Sequence, residues 1–169
     1  MPILSNLEEL AARLPDDPRR RPRPELLALD VSRRAIGVAG ADASWRLATP
    51  LATIPRKGWQ RDLGALLRLI EARAAGLLVV GWPLNMDGSE GPRCQAIRAF
   101  ARNLDVALGL PILLWDERLS TFAAKEIAAE RRSAGQGRGA VGLDALAAAQ
   151  ILQDCLDALA RRRPPGGAP

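Results

Sequence analysis

Three aspartates stand at the ends of apolar segments, where their carboxylates could act together on a phosphate ester. Asp30 ends an apolar run that is typical of a buried strand, and Asp116 follows a second run of this kind. Asp144 opens the last helical segment. Three carboxylates in a chain without histidine suit a hard cation such as Mg²⁺ or Mn²⁺. Two such ions can activate a water and stabilise the leaving oxygen during phosphodiester cleavage.

Each of these acids also has an ordinary structural explanation. Asp30 could cap the following turn through its own backbone, Asp116 could be a solvated loop acid, and Asp144 suits the first turn of a helix. The run behind Asp144, LDALAAAQIL, is almost entirely apolar or small, which predicts a helix packed closely on a sheet. The metal-site hypothesis therefore requires three residues that are distant in sequence to meet.

The residues that follow Asp116 are the second group with chemical potential. Glu117 supplies an adjacent carboxylate, and the guanidinium of Arg118 could hold a phosphate by its fork. Ser120 or Thr121 would cap the next helix, whose free N–H groups could receive another phosphate. This segment predicts substrate-binding residues beside a catalytic carboxylate.

A glycine- and proline-rich loop, residues 81–92, follows a predicted central strand. Its Asn85, Asp87 and Gly88 could bind a ligand or simply build a turn, and turn chemistry favours the turn. Trp82 is interpreted as a core residue in preference to a stacking surface for a base.

Composition excludes several classes of function. The absence of histidine excludes Ser-His-Asp and Cys-His catalysis and every histidine-ligated metal site. The two cysteines, Cys94 and Cys155, lie in helical patterns and predict buried reduced thiols. No apolar run approaches the ~20 residues of a membrane span, and the start of the chain lacks the pattern of a secretory signal. We expect neither membrane association nor export.

The positive charge of the chain does not by itself establish a nucleic-acid partner. The formal net charge is +5, but residues 25–160 are nearly balanced and Arg161, Arg162 and Arg163 carry most of the excess. A basic tail can attract phosphate, although it can equally serve solubility.

Hydrophobic periodicity predicts the elements that must position these residues. A short helix is expected over 5–14, with Ser5 and Glu8 at capping-box spacing, and an Arg/Pro linker over 15–24. The remaining predicted elements are strands over 26–31, 35–39, 44–54, 77–80 and 111–115, and helices over 59–75 (ended by Gly76), 93–108, 120–132 and 143–160.

This order predicts an α/β fold with a five-stranded mixed sheet. A three-stranded antiparallel meander is followed by two parallel strands, and helices flank the sheet. The predicted organisation is an N-terminal helix and linker (1–24), one domain (25–160) and a disordered basic tail (161–169).

Four sequence blocks together resemble a known family. They are LLALDVSRRAIGVAGAD, VVGWPLNMDGSEGP, ILLWDERLSTFAA and LDALAAAQILQDCLD, and they span about residues 26–158. In this order they resemble the YqgF/RuvX family of bacterial proteins, described both as Holliday-junction resolvases and as pre-16S rRNA nucleases.

The resemblance implies a ribonuclease-H-like fold and a cytoplasmic, divalent-metal-dependent endonuclease that matures the 16S rRNA 5′ end. Its partners would be precursor rRNA or branched DNA, and it would act as a monomer or homodimer. Asp30, Asp116 and Asp144 match the family's acidic positions, with Glu117 as the alternative. Related resolvases carry an acid at the end of the central strand, where this chain has Gly81, so Asp116 or Glu117 must substitute for it.

Two departures from the family pattern leave other functions open. Ser32 stands where the family usually has Gly, and Ala35 stands where it usually has Arg. These changes favour a second hypothesis, a non-catalytic nucleic-acid-binding factor in ribosome assembly or transcription. A third, a nucleotide-phosphate site like that of sugar kinases, ranks last because the chain is too short for their two-domain cleft.

Overall fold

The computed structural model describes residues 3–12, 24–119 and 142–162. The predicted Arg/Pro linker, except its last residue, and the predicted helix over 120–132 lie outside these ranges. So do the glycine-rich segment that precedes residue 142 and the tail from residue 163. Arg161 and Arg162, which were assigned to a disordered tail, instead belong to the last helix.

The described residues form six strands, four α-helices and one 3₁₀ turn. The strands are β1 (Ile3–Leu4), β2 (Glu25–Val31), β3 (Ala35–Ala41), β4 (Ala48–Pro55), β5 (Ala75–Trp82) and β6 (Ile112–Asp116). The helices are α1 (Leu7–Ala11), α2 (Trp59–Arg73), α3 (Pro92–Leu108) and α4 (Leu143–Arg162), and the 3₁₀ turn is Glu117–Leu119.

The strands form one mixed sheet in the order β1-β6-β5-β2-β3-β4. β2, β3 and β4 are the predicted antiparallel meander, and β5 and β6 extend it in parallel with β2. The mixed α/β architecture is therefore confirmed, with one difference. The sheet has six strands because β1 pairs in parallel with β6.

Alternation along the strands divides the core into two layers. On β2, Leu27 and Leu29 point to a core shared with α2 and α3, whereas Leu26 and Ala28 point to one shared with α1 and α4. We call these sides of the sheet the α2/α3 face and the α4 face. Because strands in the middle of the sheet are covered on both faces, β2 and β5 read as nearly continuous apolar runs.

The N-terminal segment is part of the fold and not an appendage. Leu4, Leu7 and Leu10 are buried in the core of the α4 face. The predicted helix over 5–14 is shorter and its cap lies one residue later than expected. Asn6 is the N-cap, since its side-chain oxygen accepts a hydrogen bond from the Glu9 amide at 2.9 Å.

Local backbone chemistry accounts for two further differences from the predicted boundaries. α2 ends at a left-handed residue, Ala74 (φ 48°), and not at Gly76. Gly76 lies inside β5, where a side chain would collide with the ring of Pro24. β4 begins at Ala48 rather than residue 44, and Pro50 lies at a register shift against β3, which keeps the strand continuous through the proline.

A buried ion pair joins the end of β4 to α2. The carboxylate of Asp62 is fully buried, and it accepts hydrogen bonds from Arg56 Nε at 2.7 Å and from the Lys57 amide at 2.9 Å. Arg56 also lies over the ring of Phe100, 5.3 Å from its centroid. The pair fixes the connection between β4 and α2.

We expect Asp62→Ala to lower the free energy of unfolding by about 2–3 kcal/mol, because it leaves a half-buried guanidinium and a backbone amide without their acceptor. Thermal denaturation measures the change. Asp157→Ala is the matched control, since Asp157 is exposed and accepts a single side-chain hydrogen bond; it should change stability by less than about 0.5 kcal/mol. Equal effects of the two substitutions would contradict the assigned role.

The expectation of buried thiols is confirmed. Cys94 and Cys155 are free and buried, and burial raises the pKa of Cys155 to about 12. Among the described helices, none has the length and apolar character to cross a membrane.

Candidate active site

Asp30 lies on the α4 face between two glycines on the neighbouring strands. It has the same orientation as Leu26 and Ala28, which face α4. On one side its partner in β3 is Gly37. On the other side, β2 and β5 pair through Leu29 and Val80, which places Gly81 one residue further, beside Asp30. Because glycine has no side chain, there is space above both residues that flank the half-buried carboxylate of Asp30.

The first turn of α4 occupies the space above Gly37. A Cβ atom built on Gly37 would overlap the carbonyl group of Asp144 and lie 2.7 Å from the Ala145 amide nitrogen. Gly142, directly before α4, is similarly close to β4. A Cβ built on it would lie 2.8 Å from the hydroxyl of Thr53, the residue of β4 that pairs with Gly37. Helix α4 therefore begins in direct backbone contact with the strand beside Asp30, as its apolar sequence predicted.

The carboxylate of Glu117 occupies the space above Gly81. A Cβ atom built there would lie 2.7 Å from Glu117 Oε1 and 2.6 Å from Ile151 Cδ1, a side chain of α4. Glu117 thus reaches the α4 face from the 3₁₀ turn that follows β6. It enters at the end of the central strand, where the resemblance implied that another residue must supply the acid.

Asp116 does not join these acids, because it lies on the other side of the sheet. Its register partner is Trp82, whose side chain packs against the core of the α2/α3 face. The carboxylate of Asp116 accepts hydrogen bonds from Arg118 Nε at 3.0 and 3.1 Å and from Nη2 at 2.7 Å. Asp116 therefore does not lie on the face of Asp30, as the hypothesis required, whereas Glu117 does.

Arg118 is likewise engaged within the protein. Besides its fork on Asp116, which raises the pKa of the guanidinium, its Nη1 donates to the carbonyl of Met86 at 3.4 Å. Its guanidinium also lies against Gly88, which has a φ of 86°. Arg118 therefore fastens the loop after β5 to the end of β6, and a phosphate would have to compete with Asp116 for it.

The loop after β5 has the turn chemistry that its sequence favoured. The Gly88 amide donates to the Asn85 carbonyl at 2.9 Å, and the Asn85 amide donates to the Ser89 carbonyl at 3.0 Å. The hydroxyl of Ser89 lowers the pKa of Asp87 by a hydrogen bond. Substrate binding by Asn85 and Gly88 stays a prediction, and Ser120 and Thr121 lie outside the described residues.

Trp82 is half-buried against the core, as expected. The guanidinium of Arg98 covers its ring at 5.0 Å from the centroid, and Arg98 also pairs with Glu90. These contacts join α3 to the loop after β5.

The two departures from the family pattern are accommodated at the turn between β2 and β3. The Ser32 hydroxyl donates to the Ala35 carbonyl at 3.0 Å and accepts from the Ala35 amide at 3.1 Å. Arg56 donates to the Ser32 carbonyl at 3.0 Å. The serine therefore closes the turn by its own hydrogen bonds, and an arginine from the connection that follows β4 binds its carbonyl.

The donor chemistry of Asp30, Glu117 and Asp144 suits a hard divalent cation, since all the available ligands are oxygens. Two of them also lie on one face, since the carboxylate of Glu117 stands above Gly81, the neighbour of Asp30, and the first turn of α4 with Asp144 stands above Gly37. In the described part of the chain, no three acids or thiols stand close enough together to ligate one ion directly. Binding would therefore require the side chains to close on the cation.

The sequence hypothesis weighed Asp116 above Glu117 and did not interpret Gly37 or Gly81 as a position of close approach. A signal for the glycines was present, because a glycine inside a buried strand marks close approach by a backbone or ligand. Gly37 and Gly81 both have this character.

Comparisons with known proteins identify the family of this chain. A sequence model of the family described as "RuvX: Holliday junction resolvase" matches residues 24–158. A Rhodospirillum rubrum protein is 49% identical over 97% of this chain and 98% of its own length. A Sphingopyxis alaskensis protein is 50% identical over 94% of this chain and 99% of its own. Both relatives are named "Putative pre-16S rRNA nuclease".

A solved structure is similar in fold. It is "T. thermophilus RuvC in complex with Holliday junction substrate", with a TM-score of 0.53 and 13% identity over 80% of this chain and 96% of that chain. At this identity the likeness concerns the fold alone, and it supports the ribonuclease-H-like arrangement that the sequence blocks implied. Since the Rhodospirillum rubrum protein aligns with nearly the whole chain, part of the segment before residue 24 is shared with it.

Proposed function

This chain belongs to the RuvX family, and from that premise we propose that it is an endonuclease that matures the 5′ end of precursor 16S rRNA. The relatives that match it over nearly their whole length carry the corresponding name. The reaction is the hydrolysis of a phosphodiester bond in structured RNA. We place this activity in the cytoplasm, where ribosomes are assembled, and a monomer or homodimer remains the expected state.

One observation carries the catalytic part of the proposal. Asp30 lies between Gly37 and Gly81 on the α4 face, with the first turn of α4, which carries Asp144, above Gly37 and the carboxylate of Glu117 above Gly81. All three side chains are half-buried, so they are held by the fold and still open to a substrate. We assign them as the metal ligands in place of the set that contains Asp116.

These carboxylates would hold Mg²⁺ or Mn²⁺, which when bound supplies charge stabilisation for the phosphoryl oxygens and a more acidic water. The chain's own residues perform the positioning. β2 fixes Asp30 rigidly, the backbone contact on Gly37 fixes the start of α4, and the 3₁₀ turn directs Glu117 over Gly81. Arg118 holds Asp116 away from the site and anchors the loop beside it.

The test is cleavage of a precursor 16S RNA fragment that retains its 5′ leader, with Mg²⁺ or Mn²⁺ added. We expect wild-type protein to cut this RNA in preference to a four-way DNA junction. We expect Asp30→Asn to reduce the rate by about 10³-fold, a loss of about 4 kcal/mol of transition-state stabilisation. Asp42→Asn is the matched control because Asp42 is an exposed acid outside the site, and it should cut normally.

Thermal unfolding gives a second readout that does not depend on activity. A cation that binds the folded protein at 100 times its Kd stabilises it by about 2.7 kcal/mol. Mn²⁺ should therefore raise the melting temperature of wild type and of Asp42→Asn but not that of Asp30→Asn. If wild-type protein binds RNA and cuts neither substrate, the non-catalytic binding factor is the better description.

A further inference from the structure

Five cationic side chains, four exposed and one half-buried, cluster on two connections that lie next to each other near Asp30. One connection is the turn between β2 and β3, and the other joins β4 to α2 and continues into the first turn of that helix. We call this cluster the basic rim, and its members are Arg33, Arg34, Arg56, Lys57 and Arg61.

The two connections form one rigid unit. The Arg56 amide donates to the Arg34 carbonyl at 2.8 Å, and Arg56 Nη1 donates to the Ser32 carbonyl at 3.0 Å. The buried carboxylate of Asp62 holds Arg56 in this position. Because the backbone of each connection is bound to the other, the cationic side chains project from a fixed framework.

The charge of the rim is largely uncompensated. Asp62 neutralises Arg56, but the other four side chains are exposed and form no ion pair with any acid of the described ranges. The net charge of the cluster with Asp62 is therefore +4. This charge is carried by two connections of the sheet that are bound to each other.

The rim lies within reach of a nucleic-acid strand bound at the acids. Asp30 precedes Arg33 by three residues, so their Cα atoms are at most about 10 Å apart. One nucleic-acid strand carries a phosphate about every 3.4 Å along a helix axis. A strand whose scissile phosphate sits at Asp30 would therefore present its next few phosphates to the rim.

We propose that the basic rim binds the phosphate backbone of the RNA substrate beside the cleaved bond, an inference that rests on the proposed function. A phosphate backbone fits this surface better than an acidic protein does. Protein interfaces have an apolar centre, whereas the large exposed hydrophobic side chains of the described residues, Leu47, Met86, Val106 and Leu143, all lie outside the rim.

The test compares two variants that remove equal charge. The first replaces the four uncompensated rim residues by glutamine: Arg33→Gln, Arg34→Gln, Lys57→Gln and Arg61→Gln. The control replaces four exposed arginines outside the rim: Arg46→Gln, Arg68→Gln, Arg102→Gln and Arg161→Gln. Binding of a fluorescent RNA hairpin is measured by anisotropy over a range of salt concentrations, without divalent cation so that the probe stays intact.

We expect the rim variant to bind at least about tenfold more weakly near 0.1 M salt. The slope of log K against log salt should become shallower by about 2–3, since each lost phosphate contact contributes about 0.7–0.9. The control should keep most of the affinity and slope of wild type. Melting temperatures within about 2 °C of wild type would show that both variants are folded.

A rim variant with wild-type affinity and slope would overturn the proposal, and so would a control that loses as much as the rim variant. The first result is also the one expected if the surface served an acidic protein. Cleavage assays on the same proteins separate this inference from the proposed function. Wild type that binds through the rim but never cuts refutes the nuclease alone, and wild type that cuts while the rim variant binds normally refutes the rim alone.

Discussion

Glu117→Gln should reduce the rate of metal-dependent RNA cleavage by about 10³-fold, equivalent to about 4 kcal/mol, whereas the adjacent Asp116→Asn should reduce it by less than about tenfold. Glu117 places its carboxylate over Gly81 on the face that carries Asp30. Glutamine keeps the length of the side chain but removes the charge that a divalent cation requires.

Asp116→Asn should act mainly on stability. The carboxylate of Asp116 accepts two hydrogen bonds from the guanidinium of Arg118, and asparagine would remove its negative charge. The pair is partly exposed to solvent. A loss of about 1 kcal/mol is expected. Single-turnover cleavage and thermal denaturation of both variants separate the two roles. If Asp116→Asn were inactive at normal stability and Glu117→Gln remained active, the assignment of the acids would have to be reversed.

Gly37→Ala should be the most damaging single-methyl substitution in the described part of the chain. Its added carbon would overlap the carbonyl group of Asp144, and backbone atoms cannot rotate away as a side chain can. Overpacking of this kind costs about 3 kcal/mol or more, which corresponds to a fall of about 6–12 °C in melting temperature at this chain length. Cleavage should fall by at least about 10²-fold, because the shift displaces Asp144.

Substitutions of two other glycines serve as comparisons for Gly37→Ala. Gly81→Ala would meet the flexible ends of Glu117 and Ile151, so we expect a smaller loss of stability with a clear loss of cleavage. Gly64→Ala is the control, because Gly64 lies inside α2 and the added carbon would be 3.8 Å from the guanidinium of Arg68, an ordinary van der Waals distance. It should stabilise the protein by about 0.5–1 kcal/mol. If Gly37→Ala were as stable as Gly64→Ala, the close contact between α4 and β3 would be refuted.

The sequence was sufficient to predict five of the six strands, most helices and the packing of α4. The apolar run after Asp144 predicted close contact with the sheet, and the contact with Gly37 agrees with it. The choice between Asp116 and Glu117 was beyond the sequence, because adjacent residues at the end of a strand point to opposite faces. A shift of one residue in the register of β6 would exchange the faces on which Asp116 and Glu117 lie.

Strand β1 could not be predicted from periodicity, because two residues contain no pattern. Ile3 and Leu4 become a strand only through pairing with Ile112 and Leu113 of β6. Tertiary partners, which are distant in sequence, decide this element. The Asn6 cap has a similar cause, since a shift of one residue keeps Leu7 and Leu10 in the core.

The pairing of β1 with β6 has a consequence for how two copies of the chain could associate. Within the described residues, one edge strand of the sheet is β1, which offers only two residues of backbone to a strand of a second chain. The opposite edge strand is β4, in which Pro50 and Pro55 have no N–H group to donate. Both edge strands are therefore poor templates for joining two sheets into one. Among the described residues, the helices and loops are therefore the better surfaces for a homodimer.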